Sequence, residues 1–244
     1  MANNRRKMNF PTIFDWLERF DFLRGFPAAL GVLVTAVIIV LAWEWWIAIL
    51  ALAVQYLLMG LLYADVLDPR LVVTKVLVGL FVCLILAITA GQVNWGRLPV
   101  DVLPEEAEQI KAEQRVKIGP LMVSVPGLLR LVATAVMFLV VWALVDRVDG
   151  LPMLAGTAVP ATALYFELAV VGLMAFGLLA IAISLEPLRI GLGILMFLSG
   201  FELYFSALEQ SAMILAVLAA LNLLIAVIIS YLVQRRYAIP ALLD

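Results

Sequence analysis

PAALGVLVTAVIIVLAWEWWIAILALAVQYLLMGLLY, residues 27 to 63, is apolar almost without interruption. As a single helix rising ~1.5 Å per residue it would run about 55 Å, far beyond the ~30 Å hydrocarbon core of a bilayer. It divides at Trp43-Glu44-Trp45-Trp46, where indoles suit the membrane–water boundary and a carboxylate can reach water. Two spans follow, about 27 to 43 and 45 to 63. Working outward, apolar runs predict five more, at about 71 to 90, 127 to 145, 166 to 184, 187 to 207 and 210 to 234. The expected fold is all-α: a polytopic membrane protein of about seven transmembrane helices, with its termini on opposite sides. Only Leu208 and Glu209 separate the last two spans, which predicts a tight hairpin.

Composition agrees with a lipid environment. Of 244 residues, 66% are apolar and 14% charged, which places the chain outside the soluble globular range. The lone cysteine, Cys83, lies in an apolar segment and has no partner for an intrachain disulfide. There is no histidine, which removes the commonest metal ligand, the usual general base and the ordinary pH switch. A net charge of −2 gives no reason to expect nucleic acid as a partner. Neither a phosphate loop nor a metal cluster is legible, so no cofactor is expected.

Two segments fall outside the spans. In residues 1 to 26, the stretch from Asn9 to Phe26 carries Phe10, Ile13, Phe14, Leu17, Phe20 and Leu23 at helical spacing with charges between them. It reads as an amphipathic interfacial helix, or as a surface helix packed on neighbouring protein. The polar stretch 91 to 126 reads as a loop containing a short helix. Pro104 opens it, acids (Glu105, Glu106, Glu108) lead, bases (Lys111, Arg115, Lys117) follow and Gly119-Pro120 ends it, an order that complements the helix dipole. Basic residues do not choose an orientation. Arg5, Arg6, Lys7, Arg19 and Arg24 on one side oppose Arg97, Lys111, Arg115, Lys117, Arg189, Arg235 and Arg236 on the other.

The chemistry lies in the polar groups inside the spans. Glu202, in Gly-Phe-Glu-Leu-Tyr-Phe-Ser-Ala (200 to 207), is a carboxylate within a membrane helix, which is costly to keep and points to function. Laying Val54-Gln55-Tyr56 on Phe201-Glu202-Leu203 without gaps brings Lys75 onto Asn222, because twenty positions separate both pairs. Spans 1 to 3 and 5 to 7 then read as two parallel three-helix repeats, with span 4 as the linking helix. By helical rise Glu202 lies about 8 Å, and Lys75 about 6 Å, from helix ends facing the same side. The two could pair if helices 3 and 6 were adjacent. Simpler roles stand beside these: Lys75 can snorkel to the interface, and Asn222 and Gln55 can act as helix-packing glue. Glu44, Glu167, Glu186 and Glu209 lie at span ends and read as solvated. Gly191, Gly193 and Gly200 read as points of close helix approach, or as hinges.

Leu188-Arg189 opening a helix, Gly200-Phe201-Glu202-Leu203, and a last helix ending in Gln234-Arg235-Arg236 together resemble the small three-helix component of respiratory complex I (chain 4L, or K subunit). That component in turn resembles the C subunit of multisubunit cation/proton antiporters. With Gln55 in the second span and Thr74-Lys75-Val76 in the third, residues 27 to 236 resemble the larger E subunit of hydrogenase-4-type complexes. The resemblance implies a non-catalytic membrane subunit of a proton- or sodium-translocating complex in a bacterial or archaeal cytoplasmic membrane. Larger antiporter-like subunits would be its partners, and Glu202, Lys75, Asn222 and Gln55 its ion-path residues. One departure stands out: such families carry a second carboxylate in the last helix where this chain has Asn222, and an amide neither takes up nor releases a proton at ordinary pH. A stand-alone secondary transporter and a purely structural or assembly subunit are the alternatives from other classes.

Overall fold

The computed structural model describes residues 24–92, 115–118, 121–147 and 164–237. Seven helices occur there: α1 Phe26–Leu41, α2 Trp45–Tyr63, α3 Pro69–Gln92, α4 Val125–Arg147, α5 Leu164–Ile183, α6 Pro187–Leu208 and α7 Ala212–Tyr237. Six of them, α2 to α7, are long and apolar enough to cross a membrane. The chain is an integral, polytopic, helical membrane protein. Helix α1, of 16 residues, is shorter. Gly25 (φ 74°) turns the chain into it through a backbone conformation that side chains disfavour, and Pro27 occupies its first turn, where a missing N–H costs nothing.

The apolar stretch breaks where the indoles and Glu44 interrupt it: α1 ends at Leu41 and α2 begins at Trp45. Trp43 and Trp46 are exposed, and the Trp46 indole donates to Glu44 Oε2 at 2.6 Å. The predicted interfacial helix lies outside the described residues, except that 24–25 form a turn and Phe26 already belongs to α1. Most of the predicted helix after Pro104 also lies outside them. Its last part is corrected: Arg115–Ile118 is a strand, β1, paired antiparallel with β2, Leu121–Ser124. The acid-to-base charge order favoured a helix there. The β-branched alternation of Val116 and Ile118, followed by the turn formers Gly119-Pro120, favours a hairpin and prevails.

Short connections make α2 return beside α1, α3 beside α2, α6 beside α5 and α7 beside α6, and the ends sort into two groups. The near end carries residue 24 and the α2–α3 turn; the far end carries the α1–α2 turn and the last turn of α7. Contacts hold the near end together. Arg24 meets Asp65 at 2.6 Å, the Tyr165 hydroxyl faces Asp65 at 3.5 Å, and Gln210 Nε2 donates to the Val66 carbonyl at 2.8 Å.

Six helices form two facing rows, α1-α2-α3 and α5-α6-α7, in which α1 packs on α5, α3 on α7, and α2 more loosely on α6. Helix α4 lies outside, against α5 and α1. Glycines let α5 and α6 approach closely: a Cβ on Gly177 would stand 2.6 Å from the Phe197 nitrogen, and one on Gly193 would stand 2.8 Å from the Gly177 carbonyl. Helices α5 and α6 are accordingly the most enclosed, and α4 and α7 the most open to lipid.

Candidate functional site: a buried ion pair between the helix rows

Four helices supply the polar interior. On α3, Val72, Lys75, Gly79, Val82, Cys83 and Leu86 recur at helical spacing and all are buried, so the lysine belongs to the inward stripe. Glu202 lies in the corresponding stripe of α6 with Leu195, Ser199 and Ser206, and Asn222 in that of α7 with Leu215, Ala226 and Ile229. Lys75 follows Pro69 by six residues and Glu202 precedes Leu208 by six, which places both about 9 Å below the near end.

They meet there. Lys75 Nζ stands 3.0 Å from Glu202 Oε2, and Asn222 Nδ2 donates to Glu202 Oε1 at 2.8 Å, so each carboxylate oxygen has one partner. Lys75 is 8% exposed and Glu202 2%, which decides against a snorkelling lysine. The proviso that helices 3 and 6 be adjacent is not met: α3 and α6 share no extended interface, and each packs instead on α7. The four-carbon stem of the lysine closes the distance.

Gln55, on α2, is fully buried, and neither of its amide atoms has a hydrogen-bond partner among the described residues. It therefore makes no hydrogen bond to the Lys75–Glu202–Asn222 trio. Asn222 Oδ1 is likewise buried without a partner, while the Tyr56 hydroxyl, also buried, stands beside Ser199. By contrast the buried hydroxyls of Thr35, Thr89, Ser199 and Ser206 are satisfied by carbonyls of their own helices.

Two residues not singled out by sequence belong here. Tyr56 and Tyr63 both lie within electrostatic range of the Glu202 carboxylate, and Tyr56 also stands beside Ser199 and Cys83. Their spacing of seven puts both rings on one face of α2, a signal that the apolar surroundings hide. Glu167 corrects a further expectation: it is buried. Helix α5 begins at Leu164, so this carboxylate falls in a first turn, where free backbone N–H groups favour it. Glu44 and Glu209 are exposed and Glu186 is half-buried.

No cluster of three or more His, Cys, Asp or Glu side chains that could hold a metal occurs among the described residues. What the trio can do follows from its charges. An ammonium and an amide donor balance one carboxylate in a dry interior, so loss of the ammonium contact would leave the carboxylate to be neutralised by a proton or a small cation. No family model, curated protein or solved structure matches the chain.

Proposed function

We propose that this chain is a non-catalytic membrane subunit of a proton- or sodium-translocating complex related to hydrogenase-4 or complex I, and that Glu202 is the group it contributes to the ion path. The observation that carries this reading is the buried Lys75–Glu202 pair at 3.0 Å, completed by Asn222. A carboxylate inside a membrane bundle, held by a partner that can move away, is what a load-and-release step requires. Movement of Lys75 toward the near end would let Glu202 take up the ion, and its return would expel it.

Polar atoms of Gln55 and Asn222 that are buried without a partner among the described residues favour a path that accommodates water or an ion over a site that is only an internal staple. The resemblance noted above names the complex and the larger antiporter-like subunits as partners. It also accounts for a drive that this chain does not supply, since motion of a neighbouring subunit would shift Lys75.

The test is Glu202→Gln in the native assembly, which keeps shape and hydrogen bonding but removes the titratable charge. Ion translocation in membrane vesicles, followed with a pH-sensitive dye and again with sodium varied, should be lost while subunit content is unchanged. Full translocation by the variant would leave the trio as a structural tie between α3, α6 and α7. An active, monodisperse single chain in liposomes would instead promote the stand-alone transporter.

A further inference from the structure

At the far end, basic side chains gather around the short α5–α6 connection, residues 184–186. Arg189, in the first turn of α6, pairs through Nε with Glu186 Oε2 at 2.9 Å and donates through Nη2 to the Trp43 carbonyl at 3.0 Å. Arg236, in the last turn of α7, donates from Nη1 to the Leu185 carbonyl at 2.8 Å. Arg130, near the start of α4, acts on Glu186 together with Arg236, and its Nη1 is buried with no hydrogen-bond partner among the described residues. Burial raises the Glu186 carboxyl above its ordinary value, and the two arginines pull it back down.

Three guanidinium groups thus converge on one carboxylate, which already pairs with Arg189. Among the described residues the excess is positive even when exposed Glu44, which lines a small recess with Arg189, is counted against exposed Arg235. A buried N–H of a guanidinium, left without an acceptor at the edge of a membrane, is costly.

The depth of the cluster says what kind of anion can meet it. Leu185 is 87% exposed and Trp43 61%, so the α5–α6 connection and the α1–α2 turn beside it carry the apolar and indole groups that settle at headgroup level. On the same helices, Leu129 and Val132 of α4 flank Arg130 and Leu232 of α7 lies one turn before Arg236, and all are exposed, offering apolar surface along which acyl chains can lie. A phosphate borne by a lipid satisfies both requirements, and planar guanidinium forks suit its oxygens.

We infer that Arg130 and Arg236, with Arg189 behind them, form a binding site for the phosphate headgroup of an anionic phospholipid at the far end of the bundle. This inference does not depend on the role of Glu202. The full-length protein, in whatever assembly mild detergent extracts, is stripped of lipid. Its affinity is then measured for phosphatidylglycerol, for phosphatidylcholine and for inorganic phosphate, by native mass spectrometry and by thermal shift.

Phosphatidylglycerol should bind in preference to phosphatidylcholine, and millimolar inorganic phosphate should give no shift. Arg130→Gln and Arg236→Gln should each weaken phosphatidylglycerol about fivefold, as ~1 kcal/mol per basic residue at a membrane surface implies. Behaviour with phosphatidylcholine should not change. Glu186→Gln, which removes the competing carboxylate, should tighten phosphatidylglycerol, and it keeps the test decisive if an arginine variant fails to fold. Equal binding of the two lipids, unchanged affinity in the arginine variants, or weaker binding in Glu186→Gln would each overturn the site. A shift given by inorganic phosphate alone would replace the lipid with a soluble anion.

Discussion

Removing the Lys75 ammonium while Glu202 stays would leave a carboxylate with a single amide donor inside a bundle packed with leucine and valine. Breaking a buried pair from one side costs about 3–5 kcal/mol in proteins generally, because an uncompensated charge remains. Lys75→Met is therefore expected to lower thermal stability in detergent strongly, and the double variant Lys75→Met with Glu202→Gln to recover most of it. Unfolding curves for the two singles and the double close the cycle, and additive losses would mean that the 3.0 Å contact carries no coupling. Translocation separates the roles: the double variant should fold yet remain inactive. Asn222→Leu is the milder change. It withdraws the donor to Oε1 and should cost about 1–3 kcal/mol, the range for a buried polar group left unsatisfied.

Among the helices, the contact most sensitive to a single carbon is between α5 and α6. Gly177→Ala would set a methyl 2.6 Å from the Phe197 backbone nitrogen, where no flexible side chain can give way, so the helices must separate. A clear fall in thermal stability and in yield of folded protein is expected; an unchanged melting profile would mean that α5 slides freely on α6. Gly193 and Gly200 were legible in the sequence as small residues, whereas their partners, Gly177 for the first and Leu173 and Met174 for the second, were not. The reason is general to a bilayer. The face of a helix turned to lipid is as apolar as the face turned to protein, so periodicity does not say which neighbour lies where. Helix number and the turn at Trp43 to Trp46 could be read because they depend on length and on interface chemistry. Depth could be read too, since Lys75 and Glu202 are found at one level by counting residues. What could not be read was the route between them: two rows of helices in which α3 and α6 barely touch, and a flexible side chain spanning the gap. The strand at Arg115–Ile118 was misread because its charge order suits a helix dipole and its β-branched residues are few.

For the molecule as a whole, the order of seven helices puts residue 24 at the near end and Arg236 at the far end. Reporter fusions before Phe26 and after Asp244 should report opposite compartments, and agreement between them would mean that α1 and α2 do not form two separate crossings. Arg24, Tyr165 and Gln210 all converge on the α2–α3 turn, across sequence separations of 41, 100 and 144 residues, so the near end is closed by contacts that the chain completes late. The same late completion affects the ion pair. A ribosome adding roughly 5–20 residues per second takes on the order of ten seconds to travel from Lys75 to Glu202. For that interval the lysine is in the membrane before its carboxylate exists. Only about 9 Å of helix separates it from water at the near end, within reach of a stretched ammonium. In that interval Lys75 can extend to the headgroups, and its pairing with Glu202 waits until α6, and then α7 with Asn222, have entered the membrane.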